Sequence, residues 1–192
     1  MTEYDSVADA PSRRHQRDTD ELGWYVPDFV RLQTGGFVGL VAVGVGYAAF
    51  DDVLNVSAHY GFTPASLVGT TVHAASLEIL IRPFDQRLGD FRVVPIYVGP
   101  GLLYTGGEGF FTRVPEQYSH IDSNYYPPSS LYWTARVGVE LDYVPPAGFF
   151  ERHGVYYEAT LFSAYLNLYR KNPDTLAFEN MFGGAVGYRG AF

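Results

Sequence analysis

The segment 129–144 alternates strictly between apolar and polar side chains, and this pattern restricts the possible folds more than any other feature of the sequence. The apolar positions are Trp133, Ala135, Val137, Val139, Leu141 and Tyr143, and the positions between them are Thr134, Arg136, Gly138, Glu140 and Asp142. Successive side chains of a β-strand point to opposite faces, so a period of two predicts a strand with one apolar and one polar face.

The same alternation recurs along the chain between clusters of turn-forming residues. These clusters lie at 34–36, 51–52, 63–64, 85–87, 145–148 and 171–174. Between them the sequence predicts eight strands, at 28–34, 36–50, 53–63, 69–83, 91–105, 129–144, 153–169 and 177–192. The sequence therefore predicts an all-β fold of eight antiparallel strands connected in sequence order.

The apolar face of these strands could point into a core or outward into lipid. Aromatic residues cluster at the segment ends, as in the aromatic girdles of membrane barrels; examples are Tyr47, Phe50, Tyr60, Tyr104, Trp133, Tyr143 and Phe192. The opposite face combines small and charged residues, which suits the narrow lumen of a small barrel. Both features favour an up-and-down transmembrane β-barrel over a soluble, lipocalin-like carrier.

Connection lengths give the barrel a direction. If alternate connections lie at alternate ends, the one long connection, 106–128, falls at the same end as 34–35, 64–68 and 170–176. The connections 51–52, 84–90 and 145–152 fall at the opposite end. Outer-membrane barrels have long outer loops and short periplasmic turns, so 106–128 is predicted to be an outer loop.

The chain divides into a tail and one domain. Residues 1–22 are polar, carry few large apolar groups and lack the apolar core of a secretory signal, so we expect a disordered N-terminal tail. Residues 23–192 are predicted to form a single barrel domain. The net charge of −8 argues against nucleic acid as a partner, and the absence of cysteine excludes disulfides and thiolate metal sites.

The C-terminal residues Gly187–Phe192 (GYRGAF) resemble the final-strand signature of bacterial outer-membrane proteins. That resemblance implies recognition by the barrel assembly machinery and residence in the bacterial outer membrane, in contact with lipid and lipopolysaccharide. The span 28–192 is similar to the small eight-stranded barrels of the OmpA/OmpX and lipid A-modifying type. The segment Gly36–Pro64 is also similar to uncharacterised outer-membrane barrel proteins.

Six ionisable residues are predicted to face the lumen, with His59 near them in register. They are Arg31, Glu78, Arg136, Glu140, Glu158 and Arg189. Acids and bases balance, and charges in a closed lumen of low dielectric constant must be paired or hydrogen-bonded. We therefore predict an internal salt-bridge network that fills the barrel. A gate or a proton-dependent site is the alternative interpretation of the same residues.

A hydrolase is the runner-up function. The lipid A 3-O-deacylase family uses a His, a Ser and a Glu on the outer surface of its barrel, within a compact motif. The nearest fragments here are 120–124 and 73–78, and neither matches it. In the second fragment His73 alternates to the face opposite Ser76 and Glu78. The sequence therefore predicts no catalytic residue.

The long connection is a candidate docking site for an envelope protein or a glycan. Its aromatic and ionisable residues include Phe110, Phe111, Arg113, Tyr118 and His120. The alternative is that these side chains pack within the loop itself. No calcium-loop pattern or phosphate-binding glycine motif is present, so we predict no metal and no cofactor. The leading hypothesis is an integral outer-membrane protein without enzymatic activity or an open pore, with a structural, docking or envelope-maintenance role.

Overall fold

The computed structural model of the protein describes residues 25–111, 130–171 and 177–192. The strands in these ranges are β1 Phe29–Gly35, β2 Val41–Ala49, β3 Leu54–Thr63, β4 Val72–Ile81, β5 Gln86–Leu88, β6 Phe91–Gly106, β7 Leu131–Tyr143, β8 Arg152–Phe162 and β9 Phe182–Ala191. The helices are α1 Ala65–Val68, α2 Ser163–Lys171 and a 3-10 helix at Phe178–Met181. None of these described helices has the length and apolar character needed to cross a membrane.

Eight long strands form one closed antiparallel sheet. Consecutive long strands pair with each other, including β4 with β6, where Ser76 lies opposite Leu103. β1 pairs with β9, where Arg31 lies opposite Arg189, and this pairing closes the barrel. Within the described residues, the short β5 pairs with β6 alone. A closed sheet has no unpaired edge, which is the condition that β-structure must satisfy in hydrocarbon.

Apolar side chains point out of the barrel and charged side chains point into it. In β7, Val137 and Val139 are 40% and 48% exposed, whereas Arg136 and Glu140 are 3% and 2% exposed. The outward apolar residues of the other strands extend this belt around the barrel. Burying such a belt in lipid removes a large apolar surface from water. The predicted eight-stranded, up-and-down transmembrane β-barrel is confirmed.

The barrel has two different ends. The strand ends that flank 36–40, 64–71, 107–130 and 163–181 lie at one end, which we call the loop end. The turns 50–53, 82–90 and 144–151 lie at the other, which we call the terminal end. Asp28 and Phe192 also lie there, and the backbone N–H of Phe192 donates to the carbonyl of Asp28 at 2.9 Å.

An apolar lid closes the loop end. The connection 36–40 folds into the barrel mouth, where Val38 is buried in a cluster with Ala42, Ala74 and Leu103. Phe37 lies beside this cluster and stacks on Phe162, with ring centroids 4.7 Å apart. The lid separates the interior of the barrel from the loop-end surface.

One bulge adjusts the alternation in β6. The register between β6 and β7 shifts between Val94 and Tyr97, and the two residues inside the shift, Pro95 and Ile96, both point outward. Pro95 has no N–H to donate, so a bulge is a position where a proline is tolerated in a sheet. The shift allows both Val94 and Tyr97 to point into the lumen.

The structure corrects several predicted strand boundaries. The predicted strand 153–169 ends at Phe162 and continues as α2, and 177–181 contains a 3-10 helix before β9 starts at Phe182. Beyond the pair Leu161–Phe182, β8 has no paired residue in β9, so helical hydrogen bonds satisfy the backbone there. Likewise, 36–40 forms the lid instead of the start of β2, and 86–88 forms β5 instead of a turn.

The outward facing can be tested by placing a charge at two depths. Val137→Arg lies near the middle of β7 and should lower the free energy of unfolding in a bilayer by about 2–4 kcal/mol. Leu88→Arg, an exposed position of β5 at the terminal end, should cost about 0–1 kcal/mol, because the penalty decreases near the interface. Urea unfolding in lipid vesicles measures both values. Equal costs at the two positions would contradict the assigned membrane belt.

Candidate functional site

Ionic side chains fill the middle of the lumen, in what we call the middle layer: Arg31, Glu78, Arg136 and Glu158. Arg136 Nη1 lies 2.9 Å from Glu78 Oε1 and 2.6 Å from Glu158 Oε1. Arg31 contacts the second oxygen of each glutamate, at 3.2 Å for Glu78 and 3.5 Å for Glu158. Two cations and two anions therefore alternate in a ring. All four side chains are at most 2% exposed.

Aromatic and hydroxyl groups complete the middle layer. The guanidinium carbon of Arg31 lies 3.9 Å from the centroid of the Tyr156 ring, a cation–π contact. The Tyr97 hydroxyl donates to Glu158 Oε2 at 3.2 Å, and the Ser76 hydroxyl donates to Glu78 Oε1 at 3.0 Å. The carboxylates thus accept further hydrogen bonds besides their ion pairs, which lowers the cost of burying them.

A second group of charges, which we call the terminal layer, surrounds Asp52 nearer the terminal end. Four guanidinium groups contact its carboxylate: Arg92 at 2.6 Å, and Arg82, Arg152 and Arg189 at 2.8 Å. Three further carboxylates join this layer. Glu140 binds Arg82 and Arg189, Asp85 lies 2.6 Å from Arg92, and Asp142 lies 3.7 Å from Arg92 and 3.8 Å from Arg152.

The turn that carries Asp52 has an unusual backbone. Phe50, Asp51 and Asp52 all have positive φ values, of 55°, 58° and 71°. Residues other than glycine rarely adopt this left-handed backbone conformation, which costs about 1–3 kcal/mol for each residue. The ion pairs of Asp52 offset this cost, and the turn places its carboxylate among four arginines from different parts of the barrel.

Glycines in the neighbouring strands make room for the large interior side chains. A Cβ atom at Gly138 would collide with the Tyr97 ring, and one at Gly187 would collide with the Tyr156 ring. Gly44 has the same relation to His59, whose Nδ1 would lie 2.6 Å from the added carbon. The small residues of the inward face therefore allow the tyrosines and the histidine to reach the ionic network.

The structure brings all six predicted lumen residues into the interior, in two layers. The middle layer holds Arg31, Glu78, Arg136 and Glu158, and the terminal layer holds Glu140 and Arg189. Arg31 and Arg189 lie opposite each other on β1 and β9, and their side chains join different layers. The separation keeps two like charges apart.

Six members of the terminal layer do not appear in the set predicted from the sequence. They are Asp52, Arg82, Asp85, Arg92, Asp142 and Arg152. Asp52 and Asp85 lie in turns, where the two-residue period carries no information about facing. Arg82 lies within the predicted strand 69–83, and its position two residues after the buried Leu80 is the signal that identifies it. Asp142 continues the polar face of Glu140 two residues further on, and that signal identifies it in the sequence.

The predicted docking residues fall mostly outside the described part of the chain. Phe110 and Phe111 are half-buried at the start of the long connection, and the Phe110 N–H donates to the carbonyl of Gly107 at 3.2 Å. Arg113, Tyr118 and His120 lie outside the described residues, as does the predicted tail 1–22.

The histidines of the described strands do not form a hydrolase relay. His73 is exposed on the outer face, where its Nδ1 lies 2.6 Å from the Tyr60 hydroxyl, whereas Ser76 and Glu78 point inward. Inside the barrel, His59 Nε2 contacts both Ser57 Oγ at 3.1 Å and Glu78 Oε2 at 3.4 Å. A relay needs the acid on the other ring nitrogen. The Nδ1 atom of His59 has no hydrogen-bond partner among the described residues.

The closed sheet, the outward apolar belt and the ionic interior define a small transmembrane β-barrel with a filled lumen. No family model matches the sequence, and no curated protein matches it. Two solved structures are similar to the chain. They are the N-terminal β-barrel domain of Pseudomonas aeruginosa OprF and the outer-membrane enzyme PagL.

The OprF domain is 16% identical, and the alignment covers 86% of this chain and 98% of that domain with a TM-score of 0.41. PagL is 14% identical, with 85% and 98% of the two chains covered and a TM-score of 0.42. The architecture and the sidedness described above follow from the strand pairing and burial of this chain itself.

Removing one cation from the middle layer should be strongly destabilising. Arg136→Leu leaves Glu78 and Glu158 each without its shortest ion pair, so the free energy of unfolding should decrease by about 3–5 kcal/mol. Arg170→Leu, an exposed arginine of α2, is the matched control and should change stability by at most about 0.5 kcal/mol. Urea unfolding in vesicles gives both values. A stable Arg136→Leu protein would show that the network contributes little to the fold.

The terminal layer should stabilise the fold less at acidic pH than at neutral pH. Burial by itself raises the pKa of Asp52, but Arg189, Arg82, Arg152 and Arg92 outweigh burial and hold that pKa well below its usual range. A carboxyl group whose pKa is lowered by folding stabilises the folded state fully when the pH is above its pKa in the unfolded chain, about 3.9. This stabilisation is lost as the pH falls toward and through the pKa of the folded state.

We therefore expect Asp52→Asn to be destabilising at neutral pH, by about 3–5 kcal/mol as for a broken buried ion pair. The difference from the native protein should shrink below about pH 4. Unfolding measured across the acidic range checks this. A difference that is independent of pH would mean that the charge of Asp52 is not what stabilises the layer.

Proposed function

We propose that this protein is a non-enzymatic integral protein of the bacterial outer membrane, with a structural or docking role in the envelope. The observation that carries the proposal is the filled interior. Two charged layers occupy the lumen, and the Val38 lid closes the loop end. Such an interior supports a rigid membrane-embedded body, and it opposes the passage of solutes and the storage of an apolar ligand.

The loop end faces the exterior in this proposal, and the terminal end faces the periplasm. The long connection 107–130 joins strand ends at the loop end, and Phe192 lies at the terminal end. Long outer loops and short periplasmic turns are the usual arrangement of outer-membrane barrels. Phe110 and Phe111 start the long connection, so we propose this connection as the surface that docks an envelope partner.

Electrical recording in planar lipid bilayers tests the absence of a pore. The native protein should give no steady ion current, because side chains fill the cross-section at the middle layer. The double variant Arg31→Ala and Glu158→Ala removes one cation and one anion but keeps the 2.9 Å pair between Arg136 and Glu78. This variant should conduct more than the native protein. A steady ion current through the native protein would contradict the proposal.

The lipid-modifying alternative is tested by mass spectrometry of lipid A from cells with and without the protein. We expect the acylation pattern to be unchanged, because the strands of the described residues hold no Ser–His–acid relay. His120→Ala in the long connection is the matched control. If lipid A loses an acyl chain in cells with the native protein but not in cells with His120→Ala, the protein is a hydrolase and the proposed structural role is wrong.

A further inference from the structure

The terminal end contains a wide cavity that the structural role does not use. Its volume is about 890 Å³, within the range of small-molecule sites. We call this cavity the vestibule. Its floor is the terminal layer, where it is lined by Asp52, Arg92, Arg152 and Arg189. The vestibule opens toward the periplasm if the loop end faces the exterior.

The cations on the vestibule floor exceed what Asp52 can accept. A carboxylate oxygen has two lone pairs. Nitrogen atoms of Arg82, Arg92 and Arg152 all lie within 2.8 Å of the same atom, Asp52 Oδ2. One of the three guanidinium groups is therefore left without a good acceptor on that oxygen.

Arg152 is the cation with the weakest second partner. Arg82 and Arg189 also bind Glu140, and Arg92 also binds Asp85 at 2.6 Å. For Arg152 the second carboxylate is Asp142, whose oxygen lies 3.8 Å from Nε, beyond hydrogen-bonding distance. Arg152 is also the most exposed cation of the terminal layer: 24% of its side chain is exposed, against 1–6% for the other three arginines. Arg152 is thus positioned to bind an anion that enters the vestibule.

The rim of the vestibule has the opposite character. Outside its floor, the cavity is lined by four acidic residues and one exposed cation: Asp28, Asp51, Asp85, Glu151 and Arg87. A simple anion would be repelled by these carboxylates on its way to Arg152. A molecule with a carboxylate at one end and an ammonium group at the other satisfies both parts of the cavity.

We propose that the vestibule binds a zwitterionic peptide or amino acid, with its carboxylate on Arg152 and its ammonium group at the acidic rim. Glu151 and Arg152 are adjacent in the chain, so a tripeptide, which spans up to roughly 10 Å when extended, is long enough to contact both residues. The site takes its ligand from the side of the membrane that the terminal end faces. It is independent of the docking surface on the long connection.

Three peptides of the same length provide the test: triglycine, N-acetyl-triglycine and triglycine amide. The full chain is held in detergent micelles with nitrogen-15 in its arginine side chains, and the signal of the Arg152 Nε–H group is followed by NMR. Triglycine should shift this signal in a saturable manner. The acetylated and amidated peptides each lack one charge. The affinity of each should therefore be lower than that of triglycine by a factor of about ten or more.

Variants connect the signal to the two halves of the site. Arg152→Gln should weaken triglycine binding, measured by calorimetry, by about tenfold or more, and Arg152→Lys should restore part of it. Glu151→Gln should weaken the binding of triglycine, but it should not weaken the binding of N-acetyl-triglycine, which has no ammonium group and is repelled less once this carboxylate is removed. Arg170→Gln at the loop end is the matched control and should have no effect. A difference in gel migration between the unboiled and the boiled sample confirms that each variant is folded.

Several results would overturn the proposal. Equal binding of the three peptides, or binding that survives Arg152→Gln, would show that the two charges are not recognised. The absence of any shift at millimolar triglycine would remove the site altogether. If replacing Asp18, Asp20 and Glu21 by their amides shifted the Arg152 signal, the N-terminal segment of the chain itself would be the occupant and an external ligand would be excluded. None of these results would bear on the filled lumen or the lack of a pore.

Discussion

Ion pairing inside a closed sheet is the interaction on which this structure depends. Lipid surrounds the barrel, so the interior is the place where Arg136, Glu78 and Glu158 can lie without contacting hydrocarbon. Burying charges is costly unless each has a partner of opposite sign and further hydrogen bonds. The middle layer meets this requirement with two arginines and two glutamates that alternate. The closed hydrogen-bond ladder and the ionic interior therefore require each other, because an open sheet would expose both to lipid.

The two ends of the barrel serve different purposes because they are closed by different chemistry. At the loop end the apolar side chain of Val38 fills the mouth, and apolar packing of this kind leaves little for a polar ligand to bind. At the terminal end the turn of Asp52 gathers four arginines, of which Arg152 has the most distant second carboxylate and the most exposed side chain. The barrel thus has an apolar surface at its loop end and the polar vestibule at its terminal end, which is where the proposed zwitterion site lies.

The sequence predicts the strands and their facing well, because alternation reports directly on which side each residue occupies. The pattern of 129–144 identifies Arg136 and Glu140 as interior residues, and the structure places both there. It predicts strand ends less well. Segment 163–169 continues the apolar composition of β8, yet it forms α2, since the neighbouring β9 begins at Phe182 and offers no further pairing. Whether a partner strand is present is a property of the whole sheet, and no local pattern records it.

The sequence by itself determined the barrel, its eight long strands and the inward facing of the six predicted lumen residues, because a period of two assigns strand residues to a face. Tertiary structure alone decided how those residues pair. Asp52 and Asp85 lie in turns, where the period ends, and Arg152 lies at the first position of a strand. Their side chains meet because closure of the barrel brings turns from distant parts of the chain to one end. The position of the terminal layer, and of the vestibule above it, follows from that closure.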